Sequence, residues 1–390
     1  MIQRRAAETL RSLARGFPVV SLVGPRQSGK TTLARAVFDY LPYVSLENPD
    51  VREFAHTDPR GFLSQYRDGA VVDEVQRAPA ILSYLQQMVD ESTSLGRFVL
   101  TGSQQYNLRA DIAQSLAGRV GSVTLLPFSV AELTAAGAVP GERDQLLLQG
   151  LYPPIYDRPV EARVWYENYV SSYVERDVRQ ILAVKDLNRF HTFVRLCAGR
   201  TGQVLNLSNL GDDVGVSHNT ARDWIAVLEA AFLVHRLHPY YRSFSRRLIK
   251  SPKLYFTDPG LAAWLLGIHT VEHLASHPLR GALFETFVVG ELLKSRLNAA
   301  QSPLLYFWRE RGGFEIDAII EEGPWLHPVE IKSGSTATSD MSRSLRRWPD
   351  IAGETAGRGT LVYGGDEEQK RSGYDLRPWH DPLPDVLRSG

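Results

Sequence analysis

Over the first third of the chain, short continuous apolar runs alternate with stretches of helical period. PVVSLVG (Pro18–Gly24) reads as a strand that ends in glycine, and KTTLARAVFDYL then sets Leu33, Val37 and Leu41 on one helical face. PYVSLE, AVVDEV (Ala70–Val75), RFVLTGS (Arg97–Ser103) and GSVTLLPF supply four more strand-like runs. Strands that are apolar on both faces and separated by helices predict a parallel sheet covered on both sides, an α/β fold. The alternation stops near Ala136, and a turn-rich segment with tandem prolines, Pro153 and Pro154, marks a boundary. From about Val160 to Val234 the pattern is mostly helical. After Leu254 comes a strong helix (Ala282–Leu297), then the strands LLYFWRE, FEIDAIIE and HPVEIKSG. The expected division is three domains: 1–140, 141–253 and 254–390.

The junction of the first strand and its helix carries the sharpest motif. Gly24–Thr31 (GPRQSGKT) fits G-x-x-x-x-G-K-[ST], between an apolar strand and a helix start as the motif requires. Gly24 and Gly29 allow consecutive backbone N–H groups to converge on phosphate oxygens. The helix beginning at Lys30 adds its positive end. Lys30 supplies a point charge to the β- and γ-phosphates, and Thr31 offers a hydroxyl to Mg²⁺. The expected cradle is Gly24, Pro25, Arg26, Gln27, Ser28, Gly29, Lys30, Thr31 and Thr32. Its ligands are a nucleoside triphosphate and Mg²⁺.

Partners for this loop follow along the chain. Asp73 ends an apolar strand and is the candidate for the Mg²⁺ shell; Glu74 is the candidate general base for an attacking water. RFVLTGSQQ brings Thr101 and Ser103 to the end of another strand, where open α/β sheets bind ligands, so Ser103 is a further nucleotide contact. Arg119, one helix later, is a candidate for stabilising transition-state charge, in cis or from a neighbouring subunit. A surface salt bridge is the plainer reading of that arginine.

In this order, GPRQSGKTTL, VVDEVQRAP, LTGSQ and LAGR resemble an uncharacterised prokaryotic family of AAA-type ATPases that carry a C-terminal restriction-endonuclease-like domain. SPKLYFTDPGLA, GALFETFVVGEL, FEIDAII and VEIKSG extend the resemblance over nearly the whole chain. It implies an AAA-like parallel sheet, ATP as the nucleotide and, as in many AAA cores, a homo-oligomer. It leaves the biological role open.

The middle segment, LNLSNLGDDVGVSHNTARDWIAVLEAAFLV, reads as helix-turn-helix. Leu207, Leu210 and Val214 share a face, Gly215 breaks the helix, Ser217 caps the next, and Ala221, Trp224, Ile225 and Leu228 form its buried stripe. His218, Asn219, Arg222 and Asp223 fall on the exposed side. FLVHRLHPYY and SFSRRLIKSPKLYF then read as the hairpin of a winged helix. Such a unit can place its second helix in a DNA groove, with Arg242, Arg246, Arg247, Lys250 and Lys253 as phosphate contacts. Packing or protein contact is the competing use of such a unit.

A second constellation lies near the end of the chain. Residues two apart in a strand share a face, so Glu315 pairs with Asp317 and Glu330 with Lys332. On neighbouring strands these would gather carboxylates for Mg²⁺ and an ammonium for water activation or phosphate charge. The order D…E-x-K resembles the PD-(D/E)xK nuclease superfamily. That resemblance implies a glutamate from the preceding helix, here Glu285, on or beside an apolar face with Val289 and Leu292. The expected metal ligands are thus Thr31 and Asp73 at one site and Glu285, Asp317 and Glu330 at the other; Asp317, Glu330 and Lys332 are the candidate nuclease residues. A salt-bridged cluster at a sheet end is the inert alternative.

Charge adds a constraint: 44 Lys and Arg balance 44 Asp and Glu, so any surface for a polyanion must be local. The single cysteine, Cys197, excludes an internal disulfide. No apolar leader or run of about 18 apolar residues is visible, which predicts a cytoplasmic protein without a membrane partner. Two functions compete. One is an ATPase acting on nucleic acid and coupled to a Mg²⁺-dependent nuclease. The other is a nucleotide-controlled switch that binds DNA or a protein and carries an inert nuclease-like domain.

Overall fold

The five apolar runs of the first third fold as five parallel strands: β1 (Val19–Val23), β2 (Tyr43–Ser45), β3 (Ala70–Asp73), β4 (Phe98–Gly102) and β5 (Val120–Thr124). Residues 2–103, 115–174, 187–241, 250–310 and 312–387 are described by the computed structural model. They fall into two units. The first is Met1–Phe128 with the short segments Ala230–Phe232 and Leu297–Gln301; the second holds the remainder.

In the first unit the sheet order is β2-β3-β4-β1-β5. β1 lies between β4 and β5, with Val19 opposite Phe98 and Val120 and Val23 opposite Gly102 and Thr124. A strand covered on both faces must be apolar nearly throughout, and every residue of β1 is buried. Val20 and Leu22 point to one face. There they pack with Ala6 and Leu10 of α1 (Ala6–Ala14) and with Leu33, Ala34 and Val37 of α2 (Lys30–Val37). Each such aliphatic side chain contributes roughly 1.5–3 kcal/mol by leaving water. This anchors the strand and helix between which the phosphate loop is strung.

The second unit is built on a mixed nine-stranded sheet, with the strands β6 (Gln203–Val204), β7 (Val234–Pro239), β8 (Lys253–Phe256), β9 (Leu305–Arg309), β10 (Glu315–Glu322), β11 (Trp325–Lys332), β12 (Gly359–Tyr363), β13 (Gln369–Arg371) and β14 (Tyr374–Pro378). Their order is β13-β14-β12-β11-β10-β9-β7-β8-β6. β9, β10 and β11 are antiparallel neighbours, and β11, β12 and β14 run parallel. Trp308 of β9 meets Trp348 edge-on at 5.8 Å in the core under this sheet, and Trp348 donates its indole N–H to the Leu326 carbonyl at 3.1 Å. β7 pairs with both β8 and β9, and β8 spans the 253/254 junction, so one sheet runs through the second and third expected segments.

The two middle helices, Leu207–Val214 and His218–Ala230, form where the pattern places them. Gly215, at φ 75°, closes the first in a conformation that favours glycine, and the Ser217 hydroxyl accepts the Thr220 N–H at 3.1 Å to start the second. Leu210, Val214, Ala221, Trp224, Ile225 and Leu228 are buried, while His218, Asn219, Arg222 and Asp223 are exposed. Arg242, Arg246 and Arg247 lie outside the described residues.

Candidate functional site

Because β1, β3 and β4 are parallel, their carboxyl ends share one edge of the sheet, and that edge collects the phosphate-loop residues. The loop needs glycine twice. A Cβ on Gly24 would sit 2.1 Å from the Leu125 carbonyl oxygen, and Gly29 precedes α2 at φ 89°. Lys30 is buried and donates to the Pro25 carbonyl at 2.7 Å, so its ammonium lies folded over the loop. Arg4 braces the loop, donating to the carbonyls of Ser28 at 2.7 Å and Leu126 at 2.6 Å while lying over the Phe128 ring.

Asp73 and Glu74 leave β3 toward the same edge. The Thr31 hydroxyl donates to Asp73 Oδ1 at 2.9 Å, the Tyr43 hydroxyl to Oδ2 at 2.9 Å, and the Thr101 hydroxyl also to Oδ1. Burial and the adjacent Asp73 push the Tyr43 phenol up to about 12, so it remains a donor. Glu74 takes a left-handed backbone conformation at φ 55°. Its Oε2 accepts from Ser103 Oγ at 3.0 Å and from the Gln76 amide. Thr31 and Asp73 are oxygen donors in mutual contact beside the loop, the hard ligand set that Mg²⁺ takes; these residues fit the ion.

Tyr43, Gln76 and Arg4 escape the sequence reading. Tyr43 looks like an ordinary strand aromatic, and Gln76 follows an Asp-Glu pair that draws all attention. Arg4 sits in a charged segment whose burial has no local signal. Parallel pairing of β2 with β3, Ser45 opposite Asp73, brings Tyr43 to the carboxylate.

Arg119 requires a correction: it does not reach this edge. It immediately precedes β5, whose first residue pairs with the first residue of β1, whereas the phosphate loop follows the last. Four strand steps place it on the order of 13 Å away, at the opposite edge. There it makes a two-point ion pair with Asp90, one contact being 2.8 Å. That pairing holds the Asp90 carboxyl below and the Arg119 guanidinium above their usual ranges. In this arrangement Arg119 takes the salt-bridge reading, and its position gives a cis role at the phosphate loop no support.

In the second unit, antiparallel pairing of β10 with β11 sets Asp317 next to Glu330 and Lys332. Asp317 Oδ2 accepts the Ile331 N–H at 2.8 Å and the Lys332 ammonium at 3.4 Å. Glu330 accepts from Lys332 and, at 2.6 Å, from the Ser344 hydroxyl. Burial and the charge of Asp317 raise the Glu330 carboxyl to about 7 against the pull of Lys332. Arg143 holds the loop beyond Lys332 by donating to the carbonyls of Ser333 and, at 3.2 Å, Gly364; Asp144 in turn binds Arg143 and Arg280.

Glu285 takes a different partner. It accepts from the Lys253 ammonium at 2.9 Å and from the Tyr255 hydroxyl at 2.5 Å, and the same ammonium binds Glu315 at 2.6 Å. Lys253 therefore needs a second correction. Expected as a solvent-facing phosphate contact, it is 2% exposed. Burial works against its charge, but Glu285, Asp317 and Glu315 outweigh burial and hold the ammonium protonated. Expected as joint metal ligands, Glu285, Asp317 and Glu330 are bound by ammoniums, Glu285 by Lys253 and Asp317 and Glu330 by Lys332, whereas the donors to Asp73 in the first unit are neutral hydroxyls. Among the described residues no group of three His, Cys, Asp or Glu side chains is placed to hold a metal ion. The cluster does not fit a metal.

Three family descriptions match the chain. The description "AAA domain" matches residues 16–134. "Domain of unknown function (DUF8612)" matches 141–272, and "Domain of unknown function (DUF4143)" matches 280–381. "Uncharacterized protein Rv2008c" of Mycobacterium tuberculosis and "Uncharacterized protein Mb2031c" of Mycobacterium bovis are each 34% identical to this chain over 355 residues, covering 89% of it and 77% of the relative. Among solved structures, the Walker-type ATPase PABY2304 of Pyrococcus abyssi superposes with a TM-score of 0.46 at 15% identity, covering 68% of this chain and 96% of that one. The first unit is an AAA-type ATPase domain. Among the described residues no helix is long and apolar enough to cross a membrane.

Proposed function

We propose that this chain, which belongs to the same family as the two mycobacterial proteins, is an ATP-hydrolysing switch whose second unit binds DNA and does not cut it. The observation that carries the ATPase reading is the contact of Thr31 with Asp73 at 2.9 Å beside the loop, with Glu74 next in the chain. Loop amides and Lys30 bind the triphosphate, and the Lys30 ammonium exchanges the Pro25 carbonyl for phosphate oxygens. Thr31 and Asp73 would hold Mg²⁺, which supplies charge neutralisation on the β- and γ-phosphate oxygens. Glu74 accepts a proton from the attacking water as the bond between the γ-phosphorus and the bridging oxygen breaks, leaving ADP and phosphate. Ser103 and Gln76 hold its Oε2 and aim it.

In this reading residues 1–140 form the ATPase domain, 141–253 the lid and winged helix, and 254–390 the PD-(D/E)xK-like domain. The exposed His218, Asn219 and Arg222 on the second middle helix, with Lys250, support DNA as the partner. The reading against cleavage is supported by the ammoniums of Lys253 on Glu285 and of Lys332 on Asp317 and Glu330, which already neutralise the carboxylates a metal would need. The test measures ATP hydrolysis and a DNA mobility shift with and without a non-hydrolysable ATP analogue. A shift that depends on the analogue and vanishes in Lys30→Ala supports the switch. DNA affinity indifferent to nucleotide, or Mg²⁺-dependent cleavage lost in Lys332→Ala, overturns it.

A further inference from the structure

The sequence order D…E-x-K, through the resemblance it carries, implies a metal between Glu285, Asp317 and Glu330; in the structure the Lys253 ammonium binds Glu285 and Glu315 beside Asp317, and Lys332 binds Asp317 and Glu330. We infer that Lys253 is the resident cation of this acidic cluster, taking the place of a divalent metal, so that the cluster is a metal-free ion-pair centre that ties β8 to the long helix Arg280–Asn298 and to β10.

Three observations lead to this. The ammonium lies 2.9 Å from Glu285 and 2.6 Å from Glu315, two carboxylates on two different elements, so it bridges as a metal would. Its stem is sealed from water and its charge lies 5.6 Å from the Phe307 ring centroid, a desolvated position that favours a fixed cation. Tyr255, two residues on in β8 and on the same face of the strand, donates to the same Glu285 oxygen, Oε1, so the strand holds that oxygen from both positions. A divalent cation would need these oxygens as bare acceptors, and a second charge of +2 would meet the ammonium at close range in a poorly solvated site.

The lysine also gives the cluster a consequence a metal would not. It is carried on β8, next to β7, so the ion pair is part of the pairing of the β6–β8–β7 strands with the rest of the sheet. Breaking such a buried pair by removing one partner is strongly destabilising; without Lys253, Glu285 keeps the Tyr255 hydroxyl and Glu315 the Arg309 guanidinium at 3.4 Å. A metal can restore what the lysine supplied only when the lysine is gone.

The test is Mn²⁺ uptake by the nucleotide-free full chain, read by calorimetry and by the thermal midpoint. Wild type and Asp317→Asn should take up Mn²⁺ indistinguishably, and the midpoint of neither should respond to it. Lys253→Met should acquire one Mn²⁺ site that Lys253→Met/Asp317→Asn lacks, with a midpoint that rises with millimolar Mn²⁺ while that of wild type does not. Since Lys253→Met can unfold, Lys253→Gln, which removes the charge but keeps a hydrogen-bond donor for the carboxylates, serves as the second variant, and it should gain the same Asp317-dependent site. Two results overturn the inference: wild-type uptake that Asp317→Asn abolishes, or a folded Lys253 variant that takes up no Mn²⁺ at this cluster. If neither variant folds, the comparison of wild type with Asp317→Asn decides alone. Failure of the ATPase reading leaves this test untouched, because no nucleotide is present.

Discussion

Thr31 and Asp73 are 42 residues apart in sequence and joined by a 2.9 Å hydrogen bond from hydroxyl to carboxylate. The bond exists because the helix after β1 and the end of β3 meet on the same edge of a parallel sheet. It pre-sets two oxygen ligands on one side of the phosphate loop. Tyr43 and Thr101 complete the hold on that carboxylate. Asp73 is thus aimed before any nucleotide arrives, which reduces the reorganisation needed on binding.

Tyr43→Phe removes one of the three hydroxyl donors and leaves the ring. The expected cost in stability is about 1 kcal/mol. Mg²⁺ dependence of ATP hydrolysis should shift to higher metal concentration, with ATP affinity in the absence of metal unchanged. Hydrolysis titrated with Mg²⁺ for both proteins checks this.

Arg4→Ala removes a buried guanidinium that donates to two carbonyls of the loop region. Hydrogen bonds to charged groups contribute roughly 1.5–3 kcal/mol each, so denaturant unfolding should show a loss of several kcal/mol. Arg4→Lys should recover only part, because one ammonium replaces a two-pronged fork.

Arg119→Ala should leave ATP binding by the chain unchanged, since the residue lies at the far edge of the sheet with Asp90. Calorimetry with ATP and Mg²⁺ reads the affinity. A loss of tenfold or more would show that the arginine acts at the phosphate site of a neighbouring copy.

The second unit should carry a pH signature from Glu330, whose carboxyl is raised to about 7. In the unfolded chain an ordinary glutamate titrates near 4.3, so between these values the folded state holds the extra proton. Stability from this group is therefore fully present below about pH 4.3 and is lost as pH rises through 7. Glu330→Gln should flatten that fall, a difference of roughly 1–3 kcal/mol across the window, measured by denaturant midpoints from pH 5 to 8.

The first unit was legible in the sequence because its signals are local. Each strand of a buried parallel sheet is a continuous apolar run, and the loop motif sits at a strand-helix junction that only a few backbone geometries satisfy. The misplacement of Arg119 has a topological cause: a residue just before a strand start belongs to the opposite edge from one just after a strand end. Lys253 was misread for another reason. A lysine after SRRLIKSP looks solvent-facing, and only non-local pairing of β8 with β7 and its contacts to Glu285 and Glu315 reveal that it is buried. The carboxylates of Asp317 and Glu330 were found by their strand spacing, but spacing says nothing about which donors occupy them.

The most direct test of the central claim is a paired measurement on Glu74→Gln: binding of ATP with Mg²⁺ by calorimetry and single-turnover release of phosphate. The account predicts binding near the wild-type affinity with phosphate release slowed at least a hundredfold, since the loop, Lys30, Thr31 and Asp73 remain and only the proton acceptor is lost. Wild-type protein that binds no ATP, or a Glu74→Gln variant that hydrolyses it at the wild-type rate, would contradict the account.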